Sequence, residues 1–227
     1  MSDLHPVRAL IFDMDGTIVD NMAYHSKSWV AFFAKRGHTI DEEDFFRATA
    51  GRHGQEIIRT YLGDSFTDAD HLEMIAEKEA LYRDMYGPHL ATLAGFEALV
   101  TRARAEGIKL VVGTAAPTEN ITFTLDGLDL RKHFDAIVGA ADTKRGKPHP
   151  DVFLMGAEKA GALPANCIVF EDAPLGVEAA RRAGMRAVVM TTTLPAEAFA
   201  EFDNVICIAR DFSDLSLETL FATHPHP

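Results

Sequence analysis

Two carboxylates at the end of the first apolar run are of types and at a spacing that could do chemistry. The run ends in Asp13, and Asp15-Gly16-Thr17 follows one residue later. Two negative charges this close repel each other, and a divalent cation held between them and another acidic group would remove that cost. The pattern is also common in solvated turns, so the segment alone leaves both interpretations open. A calcium loop of the EF-hand type is disfavoured, because its longer ligand pattern is missing.

Two later segments could hold the oxygens of a phosphate group. Thr114 and Ala115 follow an apolar run, where a hydroxyl and free backbone amides could bind an anion. Thr114 could equally cap the helix that follows. Lys147 precedes Pro148, and Pro150 follows two residues later, so the prolines stiffen the loop that presents the lysine. A solvated surface lysine is the alternative.

A second acidic pair, Glu171-Asp172, ends another apolar run. Consecutive carboxylates at such a position favour a metal ion, because buried charge needs an opposite charge nearby. A polar cap on the next helix is the alternative at this point.

The elements that must position these residues are short apolar runs separated by helical segments. The runs predicted as strands are residues 8–13, 109–114, 136–139, 167–171, 186–191 and 204–208. The helical segments between them are residues 96–106, 120–125, 151–160, 176–183 and 196–202. This alternation predicts a doubly wound parallel α/β sheet, whose ligands gather at the carboxyl ends of the strands. The acidic pairs and Thr114 would therefore lie at one edge of the sheet.

The segment between residues 21 and 87 breaks this rhythm, because it contains helical patterns and no strand. We therefore predict an α/β core made of residues 1–20 and 88–227. Residues 21–87 are predicted to form a helical domain inserted after the first strand.

Composition narrows the function further. The chain has 227 residues, 47% of them hydrophobic, and a formal net charge of −12. An acidic protein of this kind repels nucleic acid and anionic membranes, so neither is expected as a partner. Cys167 and Cys207 lie in apolar runs and are predicted to be buried thiols of a reduced, cytoplasmic protein. We therefore expect neither a signal peptide nor a membrane span.

Taken together, the four segments resemble the motifs of the haloacid dehalogenase (HAD) superfamily, in particular its β-phosphoglucomutase-like phosphatases. The resemblance extends over nearly the whole chain. It implies a Rossmann-like core, an α-helical cap inserted after the first strand, and Mg²⁺ as the cofactor. The dehalogenases of the superfamily lack the second aspartate, so Asp15 argues against dehalogenation.

The resemblance also implies roles for single residues. Asp13 would be the nucleophile that forms an aspartyl phosphate, and Asp15, oriented by Thr17, would be the general acid and base. The groups implied to hold the transferring phosphoryl oxygens are Thr114, Ala115 and Lys147. The groups implied to hold Mg²⁺ are Asp13, the backbone carbonyl of Asp15, Asp172 and Glu171, the last at or behind the metal.

Two residues of the helical insertion are candidates for contact with the substrate. His25 lies at the start of the first cap helix and could contact the leaving group or act at a hinge. Arg52, in the loop Gly51-Arg52-His53-Gly54, could meet a second anionic group. A packed helix-end histidine and a plain turn with an exposed arginine are the alternatives.

The function that fits these residues is Mg²⁺-dependent hydrolysis of a small phosphate monoester. A β-phosphoglucomutase would share the core residues, and a pyrophosphatase is a less favoured alternative. Mutases of this branch have a cap lysine before a loop glycine, where this chain has Ala50, so we expect water to be the main phosphoryl acceptor.

A phospho-acceptor switch of the response-regulator type is disfavoured, because that class is shorter and lacks the acid/base aspartate. A dinucleotide enzyme is disfavoured because no GxGxxG follows the first strand.

Overall fold

In a computed structural model that describes residues 7–49 and 54–221, one parallel sheet of six strands carries the fold. The strands are β1 (Ala9–Phe12), β2 (Lys109–Gly113), β3 (Ala136–Val138), β4 (Cys167–Glu171), β5 (Arg186–Met190) and β6 (Val205–Ala209). Their order across the sheet is β3-β2-β1-β4-β5-β6. The predicted doubly wound α/β fold is confirmed.

The centre of the sheet is β1, whose residues are all buried. It pairs with β2 on one side and β4 on the other, so that Phe12 is in register with both Val112 and Phe170. From β1 the chain first builds outward to β3 and then returns to build β4, β5 and β6 on the opposite side. The direction of winding therefore reverses between β1 and β4, which is where an open parallel sheet offers a crevice for ligands.

Helices connect these strands. They are α5 (Phe96–Ala105), α6 (Thr118–Gly127), α7 (Asp151–Ala160) and α8 (Pro174–Arg182); a further helix, α9 (Leu217–Phe221), follows β6. The prediction of a helix over 196–202 was wrong in kind: Ala196–Phe199 form a short 3₁₀ turn. Phe199 is the residue of this turn that is fully buried, and one turn is enough to place its ring in the core. Helix α9 was not predicted.

The chain forms two compact units. One comprises the described residues of Met1–Asp20 and Ala91–Pro227, and the other is Asn21–Leu90. Within the first unit, Val19 and Thr92 form an antiparallel bridge, and the amide of Leu93 donates to the carbonyl of Ile18 at 2.8 Å. The chain therefore leaves and re-enters this unit at neighbouring points.

The second unit is helical and has its own core. Its helices are α1 (Met22–Ala34), α2 (Glu42–Thr49), α3 (Gly54–Leu62) and α4 (Asp68–Tyr86). Its core residues are mainly aromatic and aliphatic: Trp29, Phe32, Phe33, Phe45, Ile57, Ile58 and Met74.

The buried face of α4 differs from the one its apolar residues predict. The apolar Leu72 is 61% exposed, whereas Lys78 is only 2% exposed. His71, Met74, Tyr82 and Tyr86 lie on the buried face with Lys78. The buried face therefore includes two polar side chains, His71 and Lys78, which the sequence pattern alone would place at the surface.

The structure also bears on membrane-spanning helices and on the burial of the two cysteines. No helix among residues 7–49 and 54–221 is long and apolar enough to cross a membrane. Cys167 is buried as predicted, but Cys207 is half-buried, because β6 is an edge strand with a neighbour on one side only.

Candidate active site

Three carboxylates meet at the carboxyl ends of β1 and β4. Asp13 follows β1, Glu171 ends β4 and Asp172 follows it, and the amide of Asp13 donates to the carbonyl of Phe170 at 3.0 Å. One ligand atom from each carboxylate lies within 4.8 Å of the others. All three residues are buried, with exposures of 6%, 1% and 3%. The pairing of β1 with β4 thus concentrates negative charge at the crevice of the sheet.

One cation joins this cluster. Lys147 lies in the loop between β3 and α7, and its Nζ donates to Oδ1 of Asp13 and to Oε1 of Glu171, each at 2.6 Å. The ammonium also lies 5.1 Å from the ring centre of Phe153. Among the residues that the structure describes, the positive charge of Lys147 faces three carboxylates, which leaves an excess of negative charge in a site that is nearly closed to water. Such a site favours an additional cation.

Both oxygens of Glu171 already have partners. Oε1 accepts from Lys147, and Oε2 accepts the backbone amides of Asp172 and Ala173, each at 3.0 Å. The carboxylate lies so close to α8 that a Cβ atom on Gly176 would be 1.8 Å from it. Glu171 therefore fixes the lysine and the turn after β4, and only a glycine fits at position 176.

Asp172 is held by hydroxyl groups and by a close backbone approach. Thr193 Oγ1 donates to Oδ2 of Asp172, and the buried Thr17 donates to Oδ1 at 3.4 Å. Gly16 has a φ of +75°, and a Cβ atom there would lie 2.1 Å from Oδ2 of Asp172. Glycine thus allows the turn after β1 to pass against the carboxylate. Thr17 was predicted to orient Asp15; its contact with Asp172 was not predicted.

The burial of these groups changes their titration. Loss of water raises the pKa of Asp13 to about 7; the charge of Lys147 opposes this shift and the charge of Glu171 adds to it. Burial likewise raises the pKa of Asp172 well above its ordinary value, and the neighbouring Glu171 adds to the rise. Burial alone would lower the pKa of Lys147, but the adjacent carboxylates of Asp13 and Glu171 outweigh it and raise the pKa.

The other candidate residues of this unit follow the same strand ends. Asp15 is half-buried in the turn after β1. Thr114 follows β2 and is buried; its Oγ1 accepts the amide of Ala116 at 3.1 Å. Its own amide donates to the carbonyl of Val138 at 2.9 Å, so the expectation of a free amide at Thr114 was wrong, because the β2–β3 ladder continues one residue past β2. Ala115 is exposed.

The cap candidates lie in the helical unit. His25, on α1, has its Nδ1 2.8 Å from Nζ of Lys78 and 3.9 Å from Oε2 of Glu79. Its ring stacks on Tyr82 with 3.8 Å between ring centres. Sequence reasoning missed Lys78, although its spacing of four residues from Tyr82 placed it on the buried face of α4. Arg52 and its loop neighbours Ala50, Gly51 and His53 lie outside the described residues.

Buried carboxylates around a paired lysine, at the winding reversal of a parallel sheet, are typical of an α/β enzyme whose site holds a cation. A sequence model of the haloacid dehalogenase-like hydrolases matches residues 10–190. The fructose-1-phosphate phosphatase YqaB of Escherichia coli is 35% identical over 179 residues, which cover 79% of this chain and 94% of the relative. Validoxylamine A 7′-phosphate phosphatase of Streptomyces hygroscopicus is 31% identical over 196 residues, covering 86% and 91%.

A solved structure supports the same assignment. The β-phosphoglucomutase of Clostridium difficile superposes with a TM-score of 0.80 at 28% identity, covering 94% of this chain and 95% of that one. The chain belongs to the haloacid dehalogenase-like hydrolase family, in its β-phosphoglucomutase-like phosphatase branch, and is an enzyme that acts on phosphate esters. The resemblance predicted from the four motifs is confirmed.

Proposed function

We propose that this enzyme is a Mg²⁺-dependent phosphatase that hydrolyses a small phosphorylated metabolite, foremost a sugar phosphate, through a phosphorylated Asp13. The observation that carries the proposal is the buried cluster of Asp13, Glu171 and Asp172 around Lys147. The substrate class is supported by the two phosphatase relatives, one of which is named for fructose 1-phosphate and the other for validoxylamine A 7′-phosphate.

The donor set of the cluster fits Mg²⁺. It offers carboxylate oxygens, the ligands that this hard cation prefers, and its excess negative charge would be balanced by a divalent ion. Asp13, the backbone carbonyl of Asp15 and Asp172 would hold the ion, with Glu171 behind them because its oxygens already bind Lys147 and two amides. When bound, Mg²⁺ would supply positive charge to the phosphate oxygens.

The residues of the chain account for both half-reactions. A carboxylate oxygen of Asp13 attacks phosphorus, the ester P–O bond breaks, and Asp15 gives a proton to the leaving oxygen. Asp15 then takes a proton from water, whose oxygen attacks phosphorus and breaks the bond to Asp13, which releases inorganic phosphate. The buried position of Asp13 keeps bulk water from competing with the first step.

The transferring phosphoryl group needs donors at its oxygens. Lys147 lies against Asp13 and would offer its ammonium, and the Thr114 hydroxyl and the Ala115 amide would add donors from the end of the neighbouring β2. We also propose that the helical unit is a cap that selects the leaving group, with His25 and Arg52 as its contacts.

The test is hydrolysis of p-nitrophenyl phosphate and of a panel of sugar phosphates, with Mg²⁺ and with EDTA. We expect turnover only with Mg²⁺, and a loss of more than about 10³-fold in Asp13→Asn. Asp203→Asn is the matched control, because Asp203 is exposed and lies before β6, at the opposite edge of the sheet. Full activity in EDTA, or near-normal activity of Asp13→Asn, would refute the mechanism.

Phosphoglucomutase activity is the second candidate, favoured by the 28% identity to a solved β-phosphoglucomutase. We expect water to be the main acceptor, because Ala50 stands where mutases of this branch have a lysine. The measurement is formation of glucose 6-phosphate from β-glucose 1-phosphate, primed with glucose 1,6-bisphosphate, beside phosphate release. Isomerisation faster than phosphate release would favour the mutase.

A further inference from the structure

A run of threonines after β5 contacts the carboxylate cluster at Asp172. β5 pairs with β4, so that Val189 is in register with Glu171, and Thr191-Thr192-Thr193 follow the strand. Thr193 Oγ1 donates to Oδ2 of Asp172, and Thr192 Oγ1 donates to the carbonyl of Gly16. The turn after β5 is thereby tied both to a candidate metal ligand and to the turn after β1.

We infer that Thr193 is a positioning residue that orients the Asp172 carboxylate for Mg²⁺; this inference rests on the proposed function. Asp172 is 3% exposed, so bulk water has little access to its carboxylate, and the protein donors around it gain weight in fixing its orientation. A hydrogen bond to one oxygen of a ligating carboxylate restricts its rotation and aims the other oxygen. Partners of this kind set metal affinity in other proteins.

The contacts around Asp172 make Thr193 the stronger of its two hydroxyl donors. Thr17 reaches Oδ1 at 3.4 Å, which is long for an O–H···O bond. Oδ2 of Asp172 lies so close to the backbone of Gly16 that no side chain fits at position 16, because a Cβ atom there would be 2.1 Å from that oxygen. Thr193 therefore donates to the oxygen on this crowded side, and Thr192 holds the same Gly16 in place through its carbonyl.

The same run contains a matched control. Thr191 Oγ1 donates to the carbonyl of Ala209 at 3.3 Å, so its hydroxyl faces β6 and not the carboxylates. Thr191→Val removes a hydroxyl from the same turn and leaves a side chain of nearly the same size, and it does not alter the hydrogen bonds of Asp172.

The experiment measures metal affinity directly, by titrating Mn²⁺ with electron paramagnetic resonance of the free ion and then displacing it with Mg²⁺. Thr193→Val is expected to weaken Mg²⁺ binding by about 10–100-fold. Thr193→Ser and Thr191→Val are expected to stay within about threefold of the wild type, since both keep a hydroxyl on Asp172. Melting temperatures in EDTA check that each variant folds.

The outcomes separate this inference from the function on which it rests. Thr193→Val with wild-type Mg²⁺ affinity would overturn the role of Thr193 and leave the phosphatase intact. A wild type that neither binds Mg²⁺ nor hydrolyses p-nitrophenyl phosphate would overturn both. If Thr193→Val does not fold, Thr193→Ala is compared with Thr193→Ser, because these two differ only in the hydroxyl; equal affinities would then refute the inference.

Discussion

Magnesium affinity is expected to rise steeply with pH, because the cluster that would bind the ion holds protons near neutrality. Burial raises the pKa of Asp13 to about 7. Mg²⁺ binds the ionised carboxylate, so every proton held by the free site must be displaced. The perturbation is therefore a change of pH from 5.5 to 8.0 in the metal-free protein, followed by titration with the ion.

The magnitude follows from the ionised fraction of Asp13. With a pKa of about 7, roughly 3% of the carboxyl is ionised at pH 5.5 and roughly 90% at pH 8.0. The dissociation constant should therefore fall by about 30-fold across this range from Asp13 alone. The pKa of Asp172 is raised as well, so its protons steepen the dependence and do not offset it.

The assay is the Mn²⁺ titration with Mg²⁺ displacement at pH 5.5, 7.0 and 8.0, combined with calorimetry in two buffers of different ionisation enthalpy. Calorimetry should detect net proton release on binding at pH 6 to 7. An affinity that is constant over this range, with no proton release, would show that Asp13 is already ionised in the free protein. The reasoning from burial would then be wrong.

Three further outcomes follow from the same geometry. Asp15→Asn should lower the rate by roughly 10²–10⁴, and less for p-nitrophenyl phosphate than for an alkyl phosphate, because a good leaving group needs less protonation; equal losses in steady-state assays would argue against an acid role. Gly176→Ala should lower the melting temperature, at a cost of roughly 1–3 kcal/mol, because its Cβ atom would lie 1.8 Å from Glu171; an unchanged thermal scan would contradict the packing. In EDTA, the stability of the wild type relative to Asp13→Asn should fall as pH rises from about 4 to 7, because the folded wild type keeps a proton on Asp13 that its unfolded chain releases near the ordinary pKa; a difference in melting temperature that grows in favour of the wild type with pH would refute this sign.

The sheet and the main cluster could be predicted from the sequence because their signals are local. Strands buried on both faces are nearly continuous apolar runs, and β4 was predicted with its observed bounds, Cys167–Glu171. A parallel sheet brings the carboxyl ends of its strands to one edge, which predicts that Asp13 and Asp172 meet.

The remaining contacts could not be predicted because they depend on tertiary packing. Thr193 donates to a carboxylate 21 positions earlier, and nothing in a run of threonines distinguishes it from Thr191. Lys78 was missed because a lysine usually marks a surface position. Inside the helical unit, its ammonium is hydrogen-bonded to His25 and Glu79. The hydrogen bond of the Thr114 amide was not foreseen, because the last residue of a strand ladder can be placed from sequence only to within a residue or two.

The bridge between Val19 and Thr92 has a consequence for how the chain acquires its fold and how it can diverge. The helical insertion is a closed loop of roughly 70 residues, and loop closure costs only about 2 kcal/mol more for such a loop than for one of ten residues, because the cost grows with the logarithm of length. The insertion can therefore be lengthened, shortened or exchanged between relatives at little expense to the sheet. With the proposed role of the insertion in selecting the leaving group, changes in the insertion would alter the substrate range while the residues of the sheet retain the catalytic chemistry.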